Sequence, residues 1–556
     1  MSLMIRLSLM MFLEYAVWGA WLPVAGKYLG SDATMGGLGF SGYQIGLILG
    51  LAGAIGAIFA PFIAGQIADR YFNTERFLMV MFILGGCIKW YTAEQTTFGA
   101  WLWLSIIYSI VYMPTIALTN SLAFAHLKDQ EKQFPYVRVW GTVGWIVASW
   151  VFPWIWLQTD LKFTSLPPFL VGAEVDNATS MLKNALKFSG MISIAFGIYC
   201  LCLPNTPPRR DAVSKLAFAK AFALFKNKSF TILVLASLPI SIIHQIYFFQ
   251  TGLFFADIGL QVSNIGPAMT IGQVAEIAVL APLGFMLAKF GSRKVIFLGC
   301  MGYFARYIIF GTVSLPLELI VVSQALHGIC FACFFAAAFI YVETIAAEDI
   351  RHSAQTVFGI ILLGIGPILS GNVYGLMMGQ FSSAHSFAEA QQILIDQTQE
   401  GETRTLILTA QQGKLQQTVN GFIEGNKVNR DKATGDEKQM LEADYLARKE
   451  LLTPALEPLS AAAEAFKDND RSSAVIHQEK AQQLLSEAQA KIDANKDWQK
   501  RAIFKFVDYA KFWYTMAIIG LVTGVFFLIF FRDETRSAKE AGGGEGVEDD
   551  SEAGAE

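Results

Sequence analysis

The chain has 556 residues, of which 54% are hydrophobic and only 16% charged, with a formal net charge of −4. A soluble protein of this length carries about 25% charged residues, and here the apolar residues fall in long runs, so composition excludes the soluble classes and points to a polytopic helical membrane protein. The net charge says little, because an acidic C-terminal tail supplies much of it.

A spanning helix needs about 20 mostly apolar residues. Twelve candidates occur, at 5–29, 42–67, 77–94, 99–124, 138–157, 187–204, 229–257, 263–290, 293–312, 317–343, 352–380 and 508–532. The first follows Met1 directly, without a small-residue cleavage site, and reads as a retained helix. The even-numbered links carry the Lys and Arg residues: Arg70 and Arg76, Lys128 and Lys132, Arg209 to Lys228, Lys289, Arg293 and Lys294, then Arg351. The odd links 30–41 and 258–262 have none. The bias predicts cytoplasmic termini.

The expected organisation is an all-α membrane protein with a six-helix half over 1–204, a cytoplasmic linker over 205–228 and helices seven to eleven over 229–382. An extracytoplasmic helical insert over 383–507, a twelfth helix over 508–532 and a disordered acidic tail over 533–556 complete it. Within the linker, AVSKLAFAKAFALFKNK suits a helix lying along the inner leaflet as well as it suits an ordinary basic loop. In the insert, 436–452 and 473–497 read as amphipathic helices. It has no Cys and no catalytic arrangement, and reads as a cap or a domain that binds a partner outside the membrane. All six cysteines lie in or at the ends of apolar runs, so no disulfide framework is expected. Cys330 and Cys333 lack the His or Asp neighbours of a metal site, and no metal or cofactor is expected.

Polar residues deep in apolar runs carry the functional signal. Glu14 lies in a tryptophan-rich run, His244 and Gln245 in the seventh span, Gln273 and Glu276 in the eighth, Arg306 in the ninth and His327 in the tenth. Gln273 and Glu276 are three residues apart and share a helix face; an amide beside a carboxylate suits a polyhydroxylated or heterocyclic solute, and equally an interhelical hydrogen bond. Glu14 reads as a proton carrier or as half of a fixed ion pair. Arg306 reads as structural, and Lys89, near a span end, as a snorkelling side chain. Arg138 stands at the mouth of the fifth run, followed by the small residues Gly141, Thr142 and Gly144.

A repeat relates the two halves. GQIADRYFNTER contains Asp69, Arg70 and Arg76; GFMLAKFGSRK contains Lys289 and Arg293. Both resemble the loop motif of the major facilitator superfamily, in which such residues latch one conformation. Further strings are FLEYAVWGAWLP, VYMPTIALTNSLAF, VRVWGTVGWI, ALFKNK, GQVAEIAVLAP and YVETIAAEDIRHSAQ. Together they resemble the nucleoside:proton symporter family within that superfamily. The resemblance implies a cavity between two six-helix halves that opens alternately to each side of a bacterial inner membrane. It implies substrate contacts at Arg138, Thr142, Trp145, Gln245, Gln273, Glu276, His327 and Phe331.

Departures occur at Phe248, where a polar residue is usual, and at Ala332, where relatives can carry a carboxylate. They shift the proton to Glu14 or Glu276. The expected partners are a nucleoside, a proton and the lipid bilayer, with no nucleic acid. A carrier of a sugar or nucleobase, and a receptor or scaffold presenting 383–507, are the rival readings; no enzyme motif is found in the spans.

Overall fold

The computed structural model describes residues 2–63, 71–208, 222–346, 351–399, 404–425 and 427–533. Asp69, Arg70, most of the proposed interfacial helix and nearly all of the acidic tail lie outside these residues.

Long apolar helices dominate. In chain order they are α1 (Leu3–Gly30), broken at Ala20 and Trp21 ahead of Pro23, α2 (Gly42–Ala60), α3 (Thr74–Thr92), α4 (Phe98–His126), α5 (Gln130–Trp156) and α6 (Ala178–Cys202). The second set is α7 (Lys228–Asp257), α8 (Ile265–Leu280), α9 (Leu283–Gly311), α10 (Leu317–Ile345) and α11 (Ala354–Phe381). Among the described residues, 10 helices are long and apolar enough to cross a membrane. Two expected spans fall outside that set for local reasons. α3 carries Glu75, Arg76 and Lys89. α8 stops at Leu280 before Pro282, and its expected second half is joined to α9, whose backbone leaves helical geometry at Gly291 with φ +78°.

α5 begins eight residues ahead of the predicted start, because Asp129 caps it by accepting from the Lys132 amide at 3.1 Å. Arg138 therefore stands about 12 Å inside the helix at 1.5 Å per residue, rather than at its mouth. Lys89 also departs from expectation. It does not snorkel: its ammonium is buried 3.2 Å from the Trp21 ring centroid and 4.1 Å from that of Tyr108.

The segment after α11 adds a feature the helical reading missed. Strand β1 (Ser382–His385) pairs antiparallel with β2 (Phe504–Val507), Ser382 opposite Val507 and His385 opposite Phe504. Phe504 and Val507 flank the alternating FKFV pattern suited to a strand. Between the strands lie α12 (Phe387–Gln399), α13 (Thr405–Glu424), α14 (Gly435–Lys467) and α15 (Arg471–Ala494), and after β2 comes α16 (Tyr509–Phe530). The four intervening helices bury a core of their own that includes Phe387, Leu415, Leu452, Phe466 and Leu485. Arg448, nearly fully buried, donates to the Phe422 carbonyl at the end of α13 and pairs with Asp444 at 2.8 Å.

This small domain sits on one end of the bundle. Lys414 of α13 meets Asp257 at the end of α7 at 3.0 Å, and the same carboxylate accepts from Tyr509 at 2.9 Å. Arg404 donates to the Ser314 carbonyl at 2.9 Å, and α13 also packs on the 33–35 turn of the other half.

At that same end the two halves are closed on each other. Gln158 donates to Ser263 at 2.7 Å, the Leu170 amide to Asn264 at 2.8 Å, and Glu174 accepts from the Ser263 amide at 2.5 Å. Burial raises the Glu174 carboxyl above its ordinary value. Glycines permit the approach: a Cβ at Gly26 would fall 2.0 Å from the Phe249 carbonyl oxygen, and one at Gly266 would fall 2.6 Å from that of Ser149. Gly26→Val is expected to hold this end apart while leaving each half folded. Spin labels at Leu38 and Gln261 should report a longer distance than in the parent; an unchanged distance would mean that the contact does not set the closure.

Candidate functional site

Two clusters of polar residues occupy the middle of the bundle, one in each half. In the first, Glu14 of α1 is fully buried. Its Oε1 accepts from Thr115 of α4 at 2.9 Å, its backbone carbonyl accepts from Tyr112 at 2.7 Å, and its Oε2 has no hydrogen-bond partner among the described residues. Thr115 and Thr119 stand one turn apart on α4, so one face of that helix presents hydroxyls to α1.

Arg138 lies beside this cluster, half-buried, with its guanidinium carbon 4.1 Å from the Tyr15 ring centroid. Gly141 makes the packing feasible, since a Cβ there would come 2.8 Å from an Arg138 Nη and 2.6 Å from Tyr15. Arg138 is within Coulombic reach of Glu14 in its own half and of Glu276 in the other. Thr142 is half-buried one turn further along. Trp145 is buried with its backbone against Gly19, so little of the indole is open in this state.

In the second half, Gln273 and Glu276 are both half-buried on one face of α8. α8 and α10 approach closely: a Cβ at Gly272 would fall 2.9 Å from the His327 Cβ, and one at Gly328 would fall 2.4 Å from the Ala275 carbonyl carbon. That places Glu276 and His327 on adjoining turns of neighbouring helices. Gln245 of α7 reaches across to the Leu49 carbonyl of the first half at 3.5 Å, the limit of a hydrogen bond.

His327 is the centre of a buried array. Its Nδ1 is 2.9 Å from an Arg306 Nη, and its ring stacks on His244 at 5.4 Å between centroids. His244 bonds the Tyr303 hydroxyl at 2.7 Å, and Arg306 lies 3.7 Å over the Tyr247 ring. Phe331 stacks with Phe335 at 5.8 Å and stands 6.5 Å from His244. Residues 330–336 form a widened π-helical turn, a deviation frequent at functional sites.

Of the predicted latch residues, Arg76, Lys289 and Arg293 are described. Arg76 and Lys289 are exposed, Lys289 with its ammonium 5.5 Å from the rings of Phe285 and Phe290. Arg293 donates through Nε to the Leu528 carbonyl near the end of α16 at 2.9 Å. A cation at a helix C-terminus is a favourable placement.

The arrangement offers hydrogen-bonding amides, the carboxylates Glu14 and Glu276, the half-buried cation Arg138 and the aromatic face at Phe331. The sequence reading made Lys89 a snorkelling side chain and Arg306 a structural one; the structure buries both. The signal common to both is a basic residue within an apolar run; the rings that cover them, Trp21 and Tyr108 over Lys89 and Tyr247 under Arg306, come from distant segments. The groups of three or more His, Cys, Asp or Glu that could hold a metal ion are absent among the described residues.

The family model described as nucleoside H+ symporter matches residues 1–398. The chain is 31% identical over 383 residues to the transporter YegT of Escherichia coli K12, covering 67% of this chain and 84% of that one. It is 28% identical over 402 residues to the xanthosine permease of the same organism, covering 69% and 89%. The crystal structure of the nucleoside transporter NupG superposes with a TM-score of 0.59 at 26% identity, over 68% of this chain and 92% of that one.

Thr115→Val would leave the buried Glu14 Oε1 without its donor. An unsatisfied buried polar group costs about 1–3 kcal/mol, so the variant should unfold at a lower temperature in detergent, and Glu14→Gln/Thr115→Val should lose less than the two single changes added together. Full additivity would show that the pair is not coupled.

Proposed function

The chain belongs to the nucleoside H+ symporter family, and from that premise we propose how its residues carry out proton-coupled nucleoside import. It is an integral, multi-pass membrane transporter. The reading adopted here has twelve spans in two six-helix halves, the residues 265–290 and 292–311 forming the eighth and ninth. It places the protein in a bacterial inner membrane with both termini cytoplasmic and the 383–507 domain outside.

One observation supports the mechanism above the others: a single guanidinium, Arg138, lies within reach of two carboxylates in opposite halves. One cation neutralises one carboxylate. A carrier that moves Arg138 between Glu14 and Glu276 as the halves rock leaves the other carboxylate as the place for a proton. A ligand shifts such an equilibrium only through contacts that differ between the states, and the Arg138 position is such a contact. Gln245, Gln273 and Glu276 hydrogen-bond ribose hydroxyls or base edges in this scheme. Phe331 supplies the stacking face, with Trp145 joining once α1 moves away from it. Thr142 lines the same wall, one turn from Arg138. Arg76, Lys289 and Arg293, with Asp69 and Arg70, latch the cytoplasmic ends.

Reconstituted protein with an inward proton gradient should accumulate labelled uridine or adenosine and not a sugar. Glu14→Gln should abolish accumulation above equilibrium while leaving exchange of nucleoside across the membrane. If Glu14→Gln and Glu276→Gln both accumulate substrate like the parent, the assignment of the proton is wrong. Gln273→Ala should raise KM about tenfold, the value of one hydrogen bond of about 1.4 kcal/mol.

The docking of Lys414 on Asp257 gives the outer domain its own question, since it ties a separate core to the transport helices. β1 and β2 already pair, so a short turn joining His385 to Phe504 can replace the domain. We expect this variant to retain nucleoside uptake; loss of all uptake from a folded variant would favour a protein whose bundle serves to present the domain.

A further inference from the structure

We propose that Arg306 is a positioning residue that fixes the ring of His327, so that His327 presents its Nε2–H as a hydrogen-bond donor to an acceptor atom of the substrate. The inference rests on the nucleoside reading above for the identity of the substrate.

A guanidinium has N–H donors and no acceptor. An Arg306 Nη lies 2.9 Å from His327 Nδ1, so Nδ1 must turn its lone pair toward the arginine. The ring proton is then on Nε2, at the other side of the ring. A histidine held by one nitrogen has the role of the other decided for it.

The arginine is itself held. It is fully buried, its guanidinium carbon lies 3.7 Å over the Tyr247 ring, and the Tyr247 hydroxyl accepts from Gln324 at 3.0 Å. Its Nε and other Nη have no hydrogen-bond partner among the described residues. The bond to His327 Nδ1 is charge-assisted, and such bonds are stronger than neutral ones, which favours the tautomer that accepts it. The groups around the ring complete the picture. His244 stacks on it from α7, Tyr303 and Tyr307 stand beside Arg306 on α9, Cys330 follows on α10, and Glu276 lies on the turn of α8 packed against it.

His327 stands one turn before Phe331 on α10, its ring among His244, Tyr247 and Phe248, where α10 packs on the α8 turns that carry Gln273 and Glu276. A fixed N–H there discriminates. It suits a carbonyl oxygen or unprotonated ring nitrogen of a base and opposes a donor at the same point. Leaving a buried donor unpaired by the wrong substrate is the strong form of selectivity. It also separates roles: a ring whose Nδ1 is committed to Arg306 is a fixed donor, and the travelling proton is carried elsewhere.

The test has two readouts. The first needs no substrate. The chain has six histidines, and nitrogen NMR of histidine-labelled full-length protein in lipid nanodiscs, with His327→Gln to identify the resonance, reports which ring nitrogen carries the proton. We expect an Nε2–H ring in the parent and in Arg306→Lys, which keeps a donor, and a mixture of tautomers in Arg306→Met. The second readout is uptake. Arg306→Met should raise KM for the nucleoside about tenfold, one hydrogen bond's worth, with kcat changed less than about twofold, and Arg306→Lys should restore most of the loss. His327→Ala should show the same KM rise, and Arg306→Met/His327→Ala should be no worse than His327→Ala alone, as expected for residues acting through one another.

An Nδ1–H ring in the parent, an unchanged KM in folded Arg306→Met, or additive single effects would each overturn the inference. Absence of any nucleoside uptake by the parent protein would overturn the nucleoside reading instead, while the ring tautomer would still decide the role of Arg306.

Discussion

A charge inside a helical bundle survives only with partners or with a task, and the placement of Arg138 organises what surrounds it. The guanidinium lies over Tyr15 and acts on Glu14 and Glu276 from its place between the halves. Gly141 leaves room for it, α4 presents Thr115 to the carboxylate and Tyr112 to the backbone carbonyl of Glu14, and α8 carries the carboxylate of the other half. The halves meet here through electrostatics that can be rearranged. At the end under the outer domain they meet through backbone contacts at glycines and through paired side chains such as Gln158 with Ser263. The second kind of contact is tight and holds this end closed.

The internal duplication extends to the buried cations. Lys89 on α3 lies against Trp21 of α1 and Tyr108 of α4. Arg306 on α9 lies against Tyr247 of α7 and His327 of α10. Corresponding helices of the two halves thus place a cation from an outer helix under aromatic groups of two inner ones. Cation–π contact gains when water is excluded, which makes it a workable way to keep a charge in the bundle where no carboxylate is paired with it. The halves differ in the partner: a phenol ring in the first, an imidazole with a hydrogen-bonding nitrogen in the second.

The domain between β1 and β2 is tied to the bundle. Lys414 reaches Asp257, Tyr509 shares that carboxylate, and Gln250 links Tyr509 to Tyr374 within the second half. α13 also rests on the 33–35 turn of the first half. A body touching both halves at their closed end adds to the contacts that must rearrange when that end opens.

By itself the sequence determined the class of the protein, because apolar runs of spanning length have no other stable home. It also carried the family strings and the identity of the polar residues within the runs, since a buried Glu14 or Gln273 is visible wherever it stands. The β1–β2 ribbon escaped it, being two four-residue strands far apart in the chain whose pairing is a long-range event. So did the early start of α5, set by a cap at Asp129 that the polar composition of 130–137 disguised. Lys89 was read as snorkelling because its distance along α3 was known and the rings over it were not. Only the tertiary structure decided which charges meet. Arg138 over Tyr15, Arg306 against His327 and Lys414 on Asp257 each join distant segments, and the electrostatics of a site depend on distances through space that no spacing along the chain contains.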